Sequence, residues 1–487
     1  MKLSGLLDFS GLSDDDKLAR ITSMSFILIG FVLVASIAAD HYLIGVLLFA
    51  VPGILFLLAG SPVRILMMVF ALQILLTFAQ LSIFSIRISI LNLRIDDMFT
   101  VLLIWLWILS LPDRSMRGIK IGVQGIIIVF FLVIFAFSAY RGLLSGNDTF
   151  YISNQLKPYG AYILYFPLLW ILSDTGVYRR IWSVLLASAV IGGLVYLIKG
   201  YLSTGENVYL RATTGIRVAT RQPNAMAAVL MMFIGRLWKD WKARPPLMVV
   251  ILAILLMGGG ILLSQTRGLW GGIILAMAAA WILNLFRKKD NIKLAKKLIV
   301  SLTVLAVLII LTVFTISALG ILSASNIARR TGTETGNYLT DTSTLARIIA
   351  WSTIIDDLNG PVMIMGKGLG AVYTCFRPDI GGVVSVYYVD GSLFQIALNM
   401  GITGVTIFLS IFLISLFRSA RLFIRTESRY RAGIALGVFC TVIMLLFASL
   451  FASVLTNYRY TMLWVFFLAL LQVEIMKERK ENTPSAA

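Results

Sequence analysis

Apolar stretches long enough to cross a bilayer recur along nearly the whole chain, and they constrain its fold more than any other feature. A spanning helix needs about 20 apolar residues. Runs that meet or approach this length fall at 21–39, 42–60, 65–84, 98–111, 119–140, 159–173, 181–199, 224–238, 247–264, 268–286, 298–322, 391–417, 432–452 and 458–475. The expected fold is an all-α polytopic membrane protein with about 14 transmembrane helices, because only helices and closed barrels satisfy their backbone inside lipid. Only 13% of the 487 residues are charged, against about 25% in soluble domains, so a solvent-covered surface is excluded. The net charge of +19 does not mark a nucleic-acid binder. Its basic residues would gather on a polar domain, and the chain has none.

Charge placement tests the span count. With both termini cytoplasmic and the sides alternating, 27 of the 42 basic residues fall on inner loops, including every compact cluster, such as Arg287, Lys288, Lys289 and Lys293. This is the positive-inside pattern. The 15 basic residues outside comprise 12 Arg and only three Lys. A planar guanidinium forks onto phosphate oxygens as an ammonium cannot, so the outer arginines suggest an anionic, phosphorylated ligand. Snorkelling to lipid headgroups is the alternative for any single one of them. Met1 to Arg20 shows no cleavable-signal pattern, so the first apolar run is read as a retained span. Ile83 to Ile95 alternates with a period near two and is not an amphipathic helix.

Metal and disulfide chemistry have little to work with. The chain has two cysteines, Cys375 and Cys440, and one histidine, His41. They make neither a disulfide framework nor a His/Cys metal site. No Asp-x-Asp motif lies outside, and no cofactor is expected. The chain divides into N-terminal transmembrane helices (1–210), helices carrying arginine motifs (211–322), one large extracytoplasmic loop (323–390) and C-terminal helices (391–487). The loop contains a helix-like stretch around Arg347 and several aromatics, which argues for an ordered cap.

Four outer patches could carry chemistry. In the first, Arg211, Arg217 and Arg221 lead into Gln222-Pro223-Asn224, a helix-start signal, and a helix N-terminus already favours anions. In the second, Arg267 stands between two apolar runs with almost no loop; an ionisable residue at membrane depth is a functional candidate, and an interfacial anchor is the bland alternative. The third is Arg347 with Trp351 four residues on, followed by glycines at 366, 368 and 370 that would let backbone approach a ligand closely. Arg329 and Arg330 lie in the same loop. The fourth is Asp390-Gly391, which opens the run at 391–417, with Gly401 and Gly404 inside it. Asp390 is either a helix N-cap or a carboxylate facing the arginines as a general base.

These patches, in this order, resemble the O-antigen ligase and Wzy polymerase superfamily of bacterial polysaccharide assembly. Arg217 or Arg221 with Pro223-Asn224 looks like that family's Arg…Pro-Asn element. Thr266-Arg267-Gly268 is similar to its Ser-Arg-Gly element. Arg347, Trp351, Pro361 and Gly366-Lys367-Gly368 resemble the start of its large loop. Asp390-Gly391…Gly401…Gly404 matches the spacing of its His-led element, with Asp390 standing at the histidine position. The resemblance covers roughly 211–404.

The resemblance implies a GT-C-like, metal-independent, inverting membrane glycosyltransferase at the outer face of the bacterial cytoplasmic membrane. The donor would be a polyprenyl-diphosphate-linked glycan and the acceptor a second lipid-linked glycan. Arg267 and Arg347, with Arg211, Arg217, Arg221, Arg329, Arg330, Asn224 and Trp351, would hold the diphosphate and substrate, and Asp390 would be the base. The departure from histidine favours a polymerase over a ligase. Membrane lipid is an implied partner, a chain-length regulator protein is admitted, and nucleic acid is not. The rival from another class is a lipid-linked oligosaccharide flippase. Such a transporter should show repeated halves and charges within many spans, whereas here ionisable residues avoid span centres and the loop breaks any symmetry.

Overall fold

The computed structural model describes residues 121–173, parts of 181–194, 223–239, 247–263, 266–287, 342–378 and 381–482, with the backbone at 85–88 and 91–94 and residues 104 and 107. The runs expected at 21–39, 42–60, 65–84 and 298–322 lie outside the described residues, as do nearly all of 98–111 and part of 181–199.

In chain order the described elements are β1 (Ser85–Ile88), β2 (Leu91–Arg94), α1 (Gly122–Leu144), α2 (Thr149–Gly160), a 3-10 turn at Ala161–Leu164, α3 (Tyr165–Leu172), α4 (Pro223–Lys239), α5 (Leu247–Leu263), α6 (Arg267–Leu285), α7 (Thr342–Asp357), α8 (Pro361–Met365), β3 (Tyr373–Arg377), β4 (Gly382–Val386), α9 (Ser392–Arg425), α10 (Arg429–Phe451) and α11 (Tyr458–Asn482). Among these, five helices (α1, α6, α9, α10 and α11) contain stretches long and apolar enough to cross a membrane, and α4 and α5 are shorter apolar helices. The chain is thus largely helical and has the makings of a multi-pass membrane protein.

Two features differ from the expected all-helical plan. The stretch 159–173 is not one rod. It is broken into the end of α2, the 3-10 turn and α3, with Pro158 in the last turn of α2, where the missing N–H and the ring disfavour a straight continuation. Two antiparallel hairpins also occur. β1–β2 pairs Ser85 with Arg94 and Ile88 with Leu91, which is how the period-two alternation at 83–95 is realised. β3–β4 pairs Tyr373 with Val386 and Arg377 with Gly382.

Helix α10 is the centre of the bundle, with its residues 432–442 buried throughout. It packs antiparallel to α4 and α6 at very close range. A Cβ on Gly235 would lie 2.5 Å from the Gly437 nitrogen, and one on Gly272 would lie 2.8 Å from the Met444 carbonyl oxygen. Small residues at such crossings are how membrane helices gain packing without a hydrophobic drive between them. Thr441 Oγ1, which donates to the Gly437 carbonyl of its own helix at 2.9 Å, lies 3.4 Å from the Ala228 carbonyl across the α4–α10 crossing.

The two ends of the bundle differ in character. At one end Arg431 lies among Glu474, Glu478 and Glu481, and Arg287 Nη2 donates to the Thr426 carbonyl at 2.9 Å. At the other end α10 finishes at Phe451. A Cβ on Gly268 would lie 3.1 Å from Phe451, and one on Gly391 would lie 3.3 Å from the Leu450 carbonyl oxygen. The starts of α6 and α9 therefore meet at the same end, beside adjacent residues of α10.

Candidate active site at one end of the helix bundle

The site is built around the junction of the loop with α9. Gly391, not Asp390, is the N-cap of α9, and it makes no side-chain cap bond. Its φ of 109° lies where only glycine is at ease. Asp390 thus stands one residue outside the cap, and its carboxylate goes elsewhere. Arg347 Nε donates to Asp390 Oδ2 at 3.3 Å, with the two side chains 32% and 50% exposed. Trp351, one turn on from Arg347 in α7, donates its indole N–H to the Asp390 carbonyl at 2.6 Å. The Trp351 ring stacks on Phe394 of α9 at 4.9 Å and 7°. Of the two roles open for Asp390, capping is not the one the geometry uses.

The segment before Asp390 is held from two sides. The Tyr387 carbonyl accepts from Gln155 Nε2 of α2 at 3.2 Å and from Gln395 Nε2 of α9 at 3.3 Å. The Val389 N–H donates to Gln395 Oε1 at 2.8 Å. Gln155 Oε1 in turn accepts from the Gly370 N–H at 2.8 Å and from Asn399 Nδ2 at 3.0 Å. Tyr151 stacks on Tyr387 at 4.0 Å and 10°. Gln155, Gln395 and Asn399 were not singled out from sequence. Their signal was there: amides in apolar surroundings persist only when each finds partners.

The glycine run has a different purpose from the expected one. Gly366, Gly368 and Gly370 bring backbone against the protein's own helices rather than against a ligand. A Cβ on Gly366 would lie 2.3 Å from the Asn399 carbonyl carbon, and one on Gly368 2.5 Å from the Gly142 nitrogen. This strap lies where α9 is broken at Gly401, whose φ is 67° and ψ −166°. The carbonyls freed by the break are satisfied by the strap. Lys367 N–H donates to Leu398 O at 2.7 Å and Gly368 N–H to Asn399 O at 3.0 Å, and Ser138 Oγ adds a bond to Asn399 O at 2.7 Å. Lys367 Nζ pairs with Asp357 Oδ2 at 2.6 Å, so neither is a bare loop charge.

The remaining candidates fall at the same end or outside the described residues. Arg267 is the first residue of α6, next to α10's last turn. α5 ends at Leu263, so the turn between the two helices is as tight as the sequence implied. Asn224 is the second residue of α4; it is buried, and its Oδ1 has no hydrogen-bond partner among the described residues. Because α4 runs antiparallel to α10, this start also faces the Asp390 end. Arg211, Arg217, Arg221, Arg329 and Arg330 lie outside the described residues. Among the described residues no three His, Cys, Asp or Glu side chains come together as a metal site would need. Tyr373 is no rival proton acceptor: burial pushes its hydroxyl up to about 12, so it stays protonated at ordinary pH.

Arg347, Asp390 and the starts of α4, α6 and α9 therefore share one end of the bundle. Backbone N–H groups and helix dipoles there favour anions. Residues 252–409 match the O-antigen ligase family model. The matched segment includes Arg267, Arg347, Trp351 and Asp390, and it supports the O-antigen ligase and polymerase superfamily. No curated protein matches the chain.

Proposed function

With the O-antigen ligase match over 252–409 as premise, we propose that the chain is a membrane glycosyltransferase that polymerises polyprenyl-diphosphate-linked oligosaccharide repeat units. It works at the outer face of the bacterial cytoplasmic membrane. The observation that carries this reading is the meeting of Arg347, Asp390 and the Arg267-bearing start of α6 at one end of the bundle. The Arg431 and Arg287 contacts lie at the opposite end, as a cytoplasmic basic face would.

The acceptor hydroxyl attacks the anomeric carbon of the donor glycan. The bond from that carbon to the diphosphate oxygen breaks, with inversion, and the hydroxyl proton passes to Asp390. The polyprenyl diphosphate leaves with the electron pair. Stabilising that leaving group calls for preorganised positive charge, supplied by Arg267 and Arg347, with Asn224, Trp351, Arg211, Arg217, Arg221, Arg329 and Arg330 as further substrate contacts. The Arg347–Asp390 pair gives the sequence an order. A half-exposed pair of this kind is worth only about 0.2–1 kcal/mol. An arriving diphosphate takes Arg347, and the released carboxylate is then available as base.

A ligase that moves a finished glycan to another lipid is the second reading, favoured by the name of the matching family model. Purified protein incubated with a lipid-linked repeat unit alone separates the two. A ladder of products is expected; product only on adding a different acceptor lipid makes it a ligase, and no glycosidic bond under either condition removes the reading.

Asp390→Asn tests the base. The side chain lies outside the cap residue Gly391 and makes a partly exposed pair with Arg347, so the variant should lose little stability, while turnover falls by about 10²–10⁴. Full activity in Asp390→Asn would take the base role away from it.

A further inference from the structure

A cavity of about 230 Å³ lies between the loop and α9. Leu358 and Met363 form one wall, and Phe394, Ala397 and Ile402 the other; all its lining side chains are apolar. We propose that this cavity seats the first isoprenoid units of the donor lipid, immediately behind the diphosphate. The proposal rests on the glycosyltransferase reading above and names where the lipid part of its donor goes.

Two observations carry it. The first is continuity with the charged pair. Phe394 forms the cavity wall with one face of its surroundings and stacks on Trp351 at 4.9 Å. Trp351 holds the Asp390 carbonyl at 2.6 Å, and Arg347 reaches the same residue's carboxylate at 3.3 Å. One ring pair therefore separates an anion-binding arginine from a wholly apolar hollow. A polyprenyl diphosphate has the same polarity along its length. Its chain is bonded directly to the phosphate, so a head at Arg347 obliges the first isoprene units to lie within a few bonds of it.

The second observation is where the cavity opens. Helix α8 buries none of its five residues and turns Met363, Ile364 and Met365 outward. Met363 is 47% and Ile402 56% exposed, and both line the cavity mouth. Among the described residues nothing covers these three neighbouring apolar side chains, and such a patch suits hydrocarbon. On this proposal the mouth faces the bilayer, so that a lipid chain enters sideways without leaving the membrane. The break at Gly401 makes the geometry, because it brings α8 within backbone contact of α9 between Ala397 and Ile402.

The test uses the intact protein in detergent or nanodiscs and a polyprenyl diphosphate carrying a photoreactive group on its first isoprene units. Illumination is expected to label the peptides containing Leu358–Met363 or Leu393–Ile402. Ala397→Phe, which fills the cavity, should lower that labelling by tenfold or more, since displacing even a few buried methylene-sized groups costs about a factor of ten or more. Label confined to other peptides overturns the proposal. So does a photoreactive phosphatidylglycerol that labels the same peptides and is not displaced by polyprenyl diphosphate, which would make the cavity a site for bulk lipid. Labelling needs no glycosyl transfer. Specific label in a protein that forms no glycosidic bond would therefore uphold the cavity and count against the glycosyltransferase reading alone.

Discussion

Arg347→Ala is expected to reduce glycan transfer by about 10²–10³, the usual cost of removing one preorganised donor from a developing anion. The expected fall in stability is small. Among the described residues Arg347 pairs with Asp390, at 3.3 Å and partly in solvent, and such pairs contribute about 0.2–1 kcal/mol. Activity and folding therefore separate cleanly in this variant. Product length from a purified lipid-linked repeat reads the first, and the thermal midpoint in detergent reads the second. Arg347→Lys should recover little, because an ammonium lacks the planar fork that meets two phosphate oxygens at once. Normal product length in Arg347→Ala would sink the idea of a diphosphate clamp on α7.

Gly401→Ala should produce the largest loss of stability. Its φ of 67° with ψ −166° lies in a region open essentially to glycine alone, at a cost of about 1–3 kcal/mol for another residue. The added methyl would also lie 2.3 Å from the Ile364 carbonyl oxygen and 2.5 Å from the Met365 nitrogen, both backbone, which no side-chain rotation relieves. Overpacking of that kind costs about 1–3 kcal/mol more. Gly146→Ala is the control. Its φ is 73°, yet nothing lies within 4 Å of its would-be Cβ, so it carries a positive-φ penalty without the clash. The thermal midpoint should drop clearly further in Gly401→Ala than in Gly146→Ala. Equal drops would mean that the contact between α8 and α9 contributes nothing.

Much of the architecture could be read from local pattern. The apolar runs at 119–140, 391–417, 432–452 and 458–475 correspond to α1, α9, α10 and α11, with ends shifted by up to several residues. Helix ends move because polar residues such as Arg421, Arg425 and Glu478 continue a helix beyond the apolar stretch that defines it. The spacing from Asp390 to Gly401 was visible, and it marks the start and the break of one helix. What that spacing does was not visible. The glycines at 366, 368 and 370 looked suited to a ligand, but their close neighbours are Asn399, Gly142 and Ile152, far away in sequence. The same holds for the Arg347–Asp390 pair, 43 residues apart, and for the Gln155–Tyr387 bond, 232 apart. Local periodicity reports which face of an element is apolar. It does not report which distant backbone that face will meet.

The break at Gly401 divides α9 mechanically. Residues 392–400 are bonded to the strap at 367–368 and, through Gln395, to the segment leading to Asp390. The longer part, from 402 to 425, belongs to the membrane bundle. The short part is also tied to the bundle, through Ser138, Gln155 and the Leu455 N–H, so it couples the loop to the membrane helices. A shift of the strap would therefore be felt both at the carboxylate and in α1, where Leu369 N–H bonds the Ser138 carbonyl. One residue without a side chain thus lets a single helix serve two structures, as a bent beam carries both a wall and a roof.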